Sequence, residues 1–237
     1  MTVYVPELTF VCFKWRPVRT GFRLPSVCQY TAKHVNVLRS MLERHVHIPH
    51  RLVCVTDDPA GIDPRVEIVP LWDKCRALGG CYNRLWVFSH EARDLFGDRF
   101  VCIDLDVVLV RDCTTLFTRS EDFVINAYNP IREGENDQHY NGGLFMMNAG
   151  ARASVWEQFD PQTTPAIVQA DPRVIGSDQA WIRLHLGRGE ARWTNADGVY
   201  EARQVRHNLP ENARLVLFAG KRDPSRFPYP WIREHWR

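Results

Sequence analysis

The decapeptide VCIDLDVVLV, residues 101–110, decides how the rest of the chain is read. Its apolar residues suit a buried strand, yet Asp104 and Asp106 interrupt it near the middle. Desolvating a lone ionised carboxylate is costly unless a partner compensates, and two carboxylates close together raise each other's pKa. Residues two apart on a strand share a face, so Asp104 and Asp106 are expected to point together, with Ile103, Leu105 and Val107 facing the other way. Such a pair suits a hard divalent cation, Mg²⁺ or Mn²⁺, that also bridges to phosphate oxygens. The alternative is a polar strand end capped by a basic neighbour such as Arg111, and a DxD alone does not choose between them.

Outward from this stretch the chain alternates strand and helix patterns. LTFVCFKW (8–15) reads as a first strand, and a loop with Pro17, Gly21 and Pro25 follows. Ser26 is a candidate N-cap for a helix with apolar positions Tyr30, Val35, Leu38 and Leu42. HRLVCVTDD (50–58) and VEIVPL (66–71) are the next strands, and NRLWVFSHEARDLF (83–96) reads as a helix stopped by Gly97. EDFVINAY (121–128), GGLFMMN (142–148) and ARLVLFA (213–219) are further strand candidates, with helices at ARASVWEQF (151–159) and SDQAWIRLHL (177–186). NPIREGENDQHY (129–140) is polar and reads as a mobile loop. This alternation predicts an α/β fold, a mostly parallel central sheet flanked by helices, with ligands beyond the carboxyl ends of the strands. With no repeat or linker, residues 1–237 are read as one domain.

At 237 residues, 45% hydrophobic and 24% charged, the chain can build a sizeable core. A formal net charge of +2 gives no reason to expect nucleic acid as a partner. The sequence has no apolar run of membrane-spanning length, and MTVYVPELTF lacks a signal-peptide pattern, so a cytoplasmic location is expected. The seven cysteines form no CxxC pair and read as reduced thiols, several within apolar strands. HEARD (90–94) lacks the second histidine of HExxH, and neither GxGxxG nor a Walker A loop occurs.

RLWVFSHEARDLFGDRFVCIDLDVVLVRDCTTLF (84–117) resembles the central segment of nucleotide-sugar glycosyltransferases of the GT-A (Rossmann-like) fold. It most resembles glycosyltransferase family 8, the glycogenin-like and bacterial lipopolysaccharide enzymes and their bacterial relatives. Arg84, the Asp104-Leu105-Asp106 triplet and Leu116-Phe117 stand in the family's order. YNGGLFMMN (140–148) resembles the strand that contacts the donor sugar, with Asn141 and Gly143 in the matching places. GSDQAWI (176–182) resembles the segment that places Asp178 and Gln179 near the anomeric carbon. Locally, a tight turn explains the glycines and a helix cap explains Ser177 and Asp178. The three matches in order make the family reading stronger than any one of them.

The resemblance implies metal-assisted transfer of a sugar from a nucleotide-diphosphate donor, a UDP-sugar before a GDP-sugar, with retention of anomeric configuration. The acceptor would be a glycan, lipid-linked or protein hydroxyl. Asp104 and Asp106 would bind Mn²⁺ or Mg²⁺, Asp104 also touching ribose. Arg84, Lys221 and Arg222 would steady the phosphates, Asn141 and Gly143 the sugar, and Lys14 with Trp15 the nucleoside. The chain departs from the family's His-Phe-x-Gly-x-x-Lys-Pro at LFAGKRDP (217–224), where Leu217 replaces the histidine and Asp223 the lysine. His207 is a candidate replacement ligand. The tail RFPYPWIREHWR (226–237) mixes tryptophan with arginine; it suits either packing on the domain or contact with a membrane's inner face. Two rivals stand beside this reading: a degenerate nucleotide-sugar or glycan-binding module, and a sugar-phosphate nucleotidyltransferase. The second is weakened by KWRPVRTGFRLP (14–25), which holds a single glycine.

Overall fold

The computed structural model describes residues 7–16, 30–76, 78–128, 138–218, 220 and 222–237. Ten strands are present among them: β1 (Leu8–Lys14), β2 (His50–Thr56), β3 (Glu67–Pro70), β4 (Arg99–Ile103), β5 (Val107–Leu109), β6 (Phe123–Ala127), β7 (Tyr140–Asn148), β8 (Ala191–Trp193), β9 (Val199–Glu201) and β10 (Leu215–Leu217). Seven form one sheet in the order β3-β2-β1-β4-β7-β6-β8, and β5-β10-β9 form a second, smaller one. In the large sheet only β7 runs against its neighbours, antiparallel to both β4 and β6. The other pairings are parallel, as expected of strands that read as near-continuous apolar runs. All seven residues of β1 are buried.

Side chains of the strands alternate between two apolar layers. Phe10 and Cys12 of β1, with Val101 and Ile103 of β4, face the helix Ala32–His45 through its Val35, Leu38, Met41 and Leu42. Val11, Phe13, Phe100 and Cys102 face the other layer, covered by Leu85, Trp86 and Phe88 and by Ile182 of the helix Asp178–Leu186. The first layer continues without a break into β5, β9 and β10, so both sheets share a core. The six described cysteines are free thiols. Burial pushes the Cys75 thiol up to about 12 and lifts Cys12 and Cys102 as well, which keeps them protonated and inert.

Several local expectations need correction. VCIDLDVVLV is not one strand: β4 ends at Ile103, the chain bends through Asp104-Leu105-Asp106, and β5 belongs to the other sheet. The shared strand face expected for the two aspartates is therefore absent. At the bend Leu105 enters the apolar core while Asp106 is also buried and Asp104 stays partly exposed. Residues 83–96 form two pieces, a fully buried 3-10 helix Tyr82–Phe88 and a short helix Ala92–Phe96, separated at Ser89-His90-Glu91. ARASVWEQF contributes only the single turn Ser154–Glu157. The first long helix begins after Thr31, which forms a capping box with His34, whereas Ser26 lies outside the described residues. Most of 129–140 also lies outside them, but Gln138, expected in a loop, is fully buried.

The tail 226–237 packs on the domain. Trp231 and Trp236 are buried, the Trp231 indole N–H donates to the Arg206 carbonyl at 2.8 Å, and Trp236 meets His34 edge-on. The aromatic face that a membrane interface would use is thus turned inward, leaving Arg226, Arg233 and Arg237 exposed. Among the described residues no helix is long and apolar enough to cross a membrane.

Candidate active site

The reversed direction of β7 assembles the site. The carboxyl end of β4 and the amino end of β7 lie at the same edge of the sheet, with Ile103 opposite Leu144. The Asp104 amide donates to the Gly143 carbonyl at 2.8 Å, which sets the bend against the Asn141-Gly142-Gly143 segment. Neither glycine has positive φ, so the tight-turn explanation does not hold; both lie within β7. Small size is what they contribute. A Cβ on Gly142 would lie 3.1 Å from Arg84 Nη2 and 3.3 Å from Asp178 Oδ2, and one on Gly143 would lie 2.9 Å from Asp104 Oδ2. The Asn141 side chain is buried and its oxygen accepts the Gly143 N–H at 2.8 Å.

Arg84 links the pieces. From the buried 3-10 helix its guanidinium donates through Nε to Asp178 and through Nη1 to Asp104. Asp178 opens the helix Asp178–Leu186, and its side chain is 2% exposed, against 30% for Asp104. Burial opposes the Arg84 charge, but the two carboxylates outweigh it and hold its pKa well above the ordinary arginine range. Burial lifts Asp104 above the usual carboxylate range despite Arg84. Asp106 is raised further, first by burial and then by the negative charge of Asp104, while the Tyr30 hydroxyl hydrogen-bonds its carboxylate. The two aspartates of the DxD therefore serve different neighbours.

The start of the helix at Asp178 is fixed by groups that the sequence reading missed or assigned otherwise. Ser177 Oγ accepts the Cys81 N–H at 3.0 Å, tying the segment to the start of the 3-10 helix. Gln138 donates to the Tyr140 and Gln179 carbonyls at 2.9 and 3.0 Å and accepts from the Ile175 N–H at 2.8 Å. The Gln179 amide bridges the Gly142 N–H and the Ile175 carbonyl. Gln138 stands in a polar run, NDQHY, with no periodicity to mark it as interior, so nothing local signals its role. Tyr30 was readable only as an apolar helix position.

Beside this cluster, at the carboxyl ends of β1 and β2, lies a cleft of about 370 Å³ lined by Lys14, Trp15, Arg16, Tyr30, Asp57 and Asp58, among others. Tyr30 connects it to Asp106. Lys14 is buried and pairs with Asp58 at 3.3 Å. Asp58 lies below the ordinary carboxylate range, chiefly through the Ala60 N–H and then through Lys14. Other candidates are not brought in. His207 is exposed and packs against Tyr229, and among the described residues no three His, Cys, Asp or Glu side chains gather as a metal-holding group. Arg222 is exposed, and Lys221 lies outside the described residues. Asp223 caps the turn Pro224–Arg226, accepting from the Ser225 N–H and hydroxyl, and faces His34 at 3.4 Å.

A mainly parallel sheet with one reversed strand, and a DxD bend where that strand begins, form a fold shared with solved glycosyltransferase structures. The particular structures it matches are glycosyltransferases of this fold. The galactosyltransferase LgtC, in complex with donor and acceptor sugar analogs, is similar with a TM-score of 0.61 and 11% identity, over 92% of this chain and 89% of LgtC. An active-site mutant of LgtC matches with a TM-score of 0.62 and 11% identity, over 96% of this chain and 93% of the mutant chain. The glycosyltransferase GlyE of Streptococcus pneumoniae TIGR4, in its apo form, matches with a TM-score of 0.57 and 12% identity, over 92% of this chain but 56% of GlyE. No protein-family model and no curated protein sequence matches the chain. At these identities the likeness is one of fold.

Proposed function

We propose that the protein transfers a glycosyl group from a nucleotide-diphosphate sugar to an acceptor hydroxyl. The observation that carries this reading is the Arg84 guanidinium joined to both Asp104 and Asp178, beneath Gly142 and Gly143. It brings three separate motifs into one cluster at the carboxyl edge of the sheet, where ligands of α/β sheets sit. The adjoining cleft is of nucleoside size, and its Lys14, Arg16, Asp57 and Asp58 offer both donors and acceptors to a base and ribose. A UDP-sugar is the first donor to test and a GDP-sugar the second; a glycan, a lipid-linked sugar or a protein hydroxyl would be the acceptor.

Asp104 and Asp106 supply hard carboxylate oxygens suited to Mn²⁺ or Mg²⁺. Asp104 and Asp106 would hold such a cation together with the donor's diphosphate. When bound, such a cation neutralises charge developing on the diphosphate leaving group. The chain's own groups do the rest. Arg84 adds fixed positive charge at the same edge. Gly142 and Gly143 let the backbone approach the sugar, with Asn141 holding the Gly143 amide. Asp178 is engaged by Arg84 and is poorly placed to take a proton from an acceptor, so it orients Arg84 while Gln179 orients the glycine backbone. A carboxylate used in this way is compatible with retention, which NMR of the product anomer tests.

Thermal-shift titration with UDP-, GDP-, CMP- and dTDP-sugars, each with and without Mn²⁺, tests the proposal. A donor at about 100 times its Kd adds about 2.7 kcal/mol. Stabilisation by one nucleotide class, followed by donor hydrolysis or transfer, supports it; no stabilisation by any class refutes it. Leu217 favours one second reading, a nucleotide-sugar-binding module, and binding without turnover distinguishes that reading.

A further inference from the structure

We infer that Leu217 denies this site a resident divalent cation, so that a cation is held only together with the diphosphate it neutralises. The inference rests on the donor site proposed above, and it concerns what the protein alone can hold. Leu217 is the last residue of β10, opposite Val107 of β5. The next amide, that of Phe218, donates to the Asp106 carbonyl at 2.9 Å, which locks this strand end against the DxD bend. The side chain lies near Asp104: a Cβ placed on Gly143 would lie 3.0 Å from Leu217 Cδ2 and 2.9 Å from Asp104 Oδ2. A methyl group and a carboxylate oxygen thus flank the same point, and Leu217 is 2% exposed.

Hydrocarbon at that wall can neither ligate a cation nor orient a water that would. The remaining donors are already engaged. Asp104 accepts from Arg84, and Asp106 from Tyr30. Glu201, opposite Leu217 on β9, is buried and held by Arg203 at 2.7 Å. Mg²⁺ takes about six oxygen ligands at about 2.0–2.1 Å and gives up its own waters reluctantly. Two occupied carboxylates beside a methyl offer it too little; a diphosphate adds two or more oxygens and two or more charges. Cation and nucleotide should therefore bind with positive coupling, which is reciprocal by thermodynamic necessity.

The test titrates Mn²⁺, followed by electron paramagnetic resonance, into the wild-type protein and into Leu217→His, Leu217→Asn and Leu217→Met, all without nucleotide. Far-ultraviolet circular dichroism and a cooperative melt establish that each variant is folded; Leu217→Asn keeps the test decisive if the larger histidine unfolds the chain. Wild type and Leu217→Met are expected to bind no Mn²⁺ at millimolar concentration, whereas Leu217→His or Leu217→Asn gains a single bound ion. Wild type that binds Mn²⁺ as tightly as these variants overturns the inference, as do folded His and Asn variants that bind none. A second arm adds UDP or GDP to the wild type, where Mn²⁺ should tighten nucleotide binding at least about tenfold. Nucleotide binding that is indifferent to Mn²⁺ overturns the inference. If neither nucleotide binds under any condition, the donor reading fails, and the nucleotide-free titrations still decide what Leu217 does.

Discussion

Replacing Arg84 with methionine tests the central arrangement through stability, independently of any substrate. The change keeps most of the apolar stem and removes the guanidinium between Asp104 and Asp178. Taking one partner from a buried ion pair costs about 3–5 kcal/mol, because the other charge is left without compensation. The two carboxylates do not share that cost equally. Asp104 is 30% exposed in its side chain and can recover water, whereas Asp178 is 2% exposed and cannot. The expected loss is therefore that of one stranded charge, about 3 kcal/mol, and not the sum of two pairs. For a chain of this length that lowers Tm by roughly 6–12 °C.

Urea and thermal unfolding followed by circular dichroism give the number, and a second substitution gives the reason. Asp178→Asn in the Arg84→Met background removes the stranded charge, so the double variant should be more stable than Arg84→Met alone. Asp104→Asn in the same background should recover much less. If Arg84→Met lies within about 1 kcal/mol of wild type, or if the two asparagines rescue equally, the burial argument is wrong.

Gly142→Ala places a methyl 3.1 Å from both Arg84 Nη2 and Gln179 Cβ, so it should cost about 1–3 kcal/mol and weaken nucleotide-sugar binding. Melts and calorimetric titration that match wild type would refute the close approach. Gly198→Ala meets a backbone with φ of 84° and the Asn212 carbonyl oxygen 2.3 Å from the new Cβ, so a loss of more than about 1 kcal/mol is expected in urea unfolding. His45, whose pKa is lowered to about 4 first by burial and then by Arg44 and His235, gives a pH signature. The folded state favours the neutral ring, so this contribution is fully present above the unfolded value of about 6.5 and is lost as pH falls toward 4. His45→Gln should flatten the fall of the urea midpoint through that window, and an unchanged profile would refute the assignment.

The sheet was legible because parallel strands buried on both faces announce themselves as apolar runs, as in LTFVCFK and HRLVCVT. The break inside VCIDLDVVLV was not, because hydropathy is nearly the same on both sides of the DxD. What separates β4 from β5 is that each finds hydrogen-bonding partners in a different sheet, a property of the whole chain. The same holds for residues 83–96, where burial of every side chain from Tyr82 to Phe88 leaves no polar face to reveal a 3-10 helix. Arg84, Asp104, Asn141, Gly143, Asp178 and Gln179 were found as motifs and do lie in one cluster. Their contacts were not readable, since the meeting of Asp104 with Gly143 depends on the reversed direction of β7.

The two places where LFAGKRDP departs from the pattern of the family it resembles carry different physical weight. Asp223, which stands where the resembled family has a lysine, has its own place: it caps the turn Pro224–Arg226 and faces His34 on the helix Ala32–His45. Its carboxyl lies below the ordinary range although burial pushes the other way, because the Ser225 hydroxyl and N–H and then His34 favour the charge. That anchors the last segment, with Trp236 against the same histidine, and explains why the tail packs on the domain. Leu217 has no comparable substitute role beyond the core, and its methyl lies beside Asp104, where the reaction's charge would be met. Asp223 thus serves as a structural tie, whereas Leu217 bears on the cation binding inferred above. Cation dependence should accordingly follow residue 217, and variants at Asp223 should register first as unfolding of the C-terminal segment.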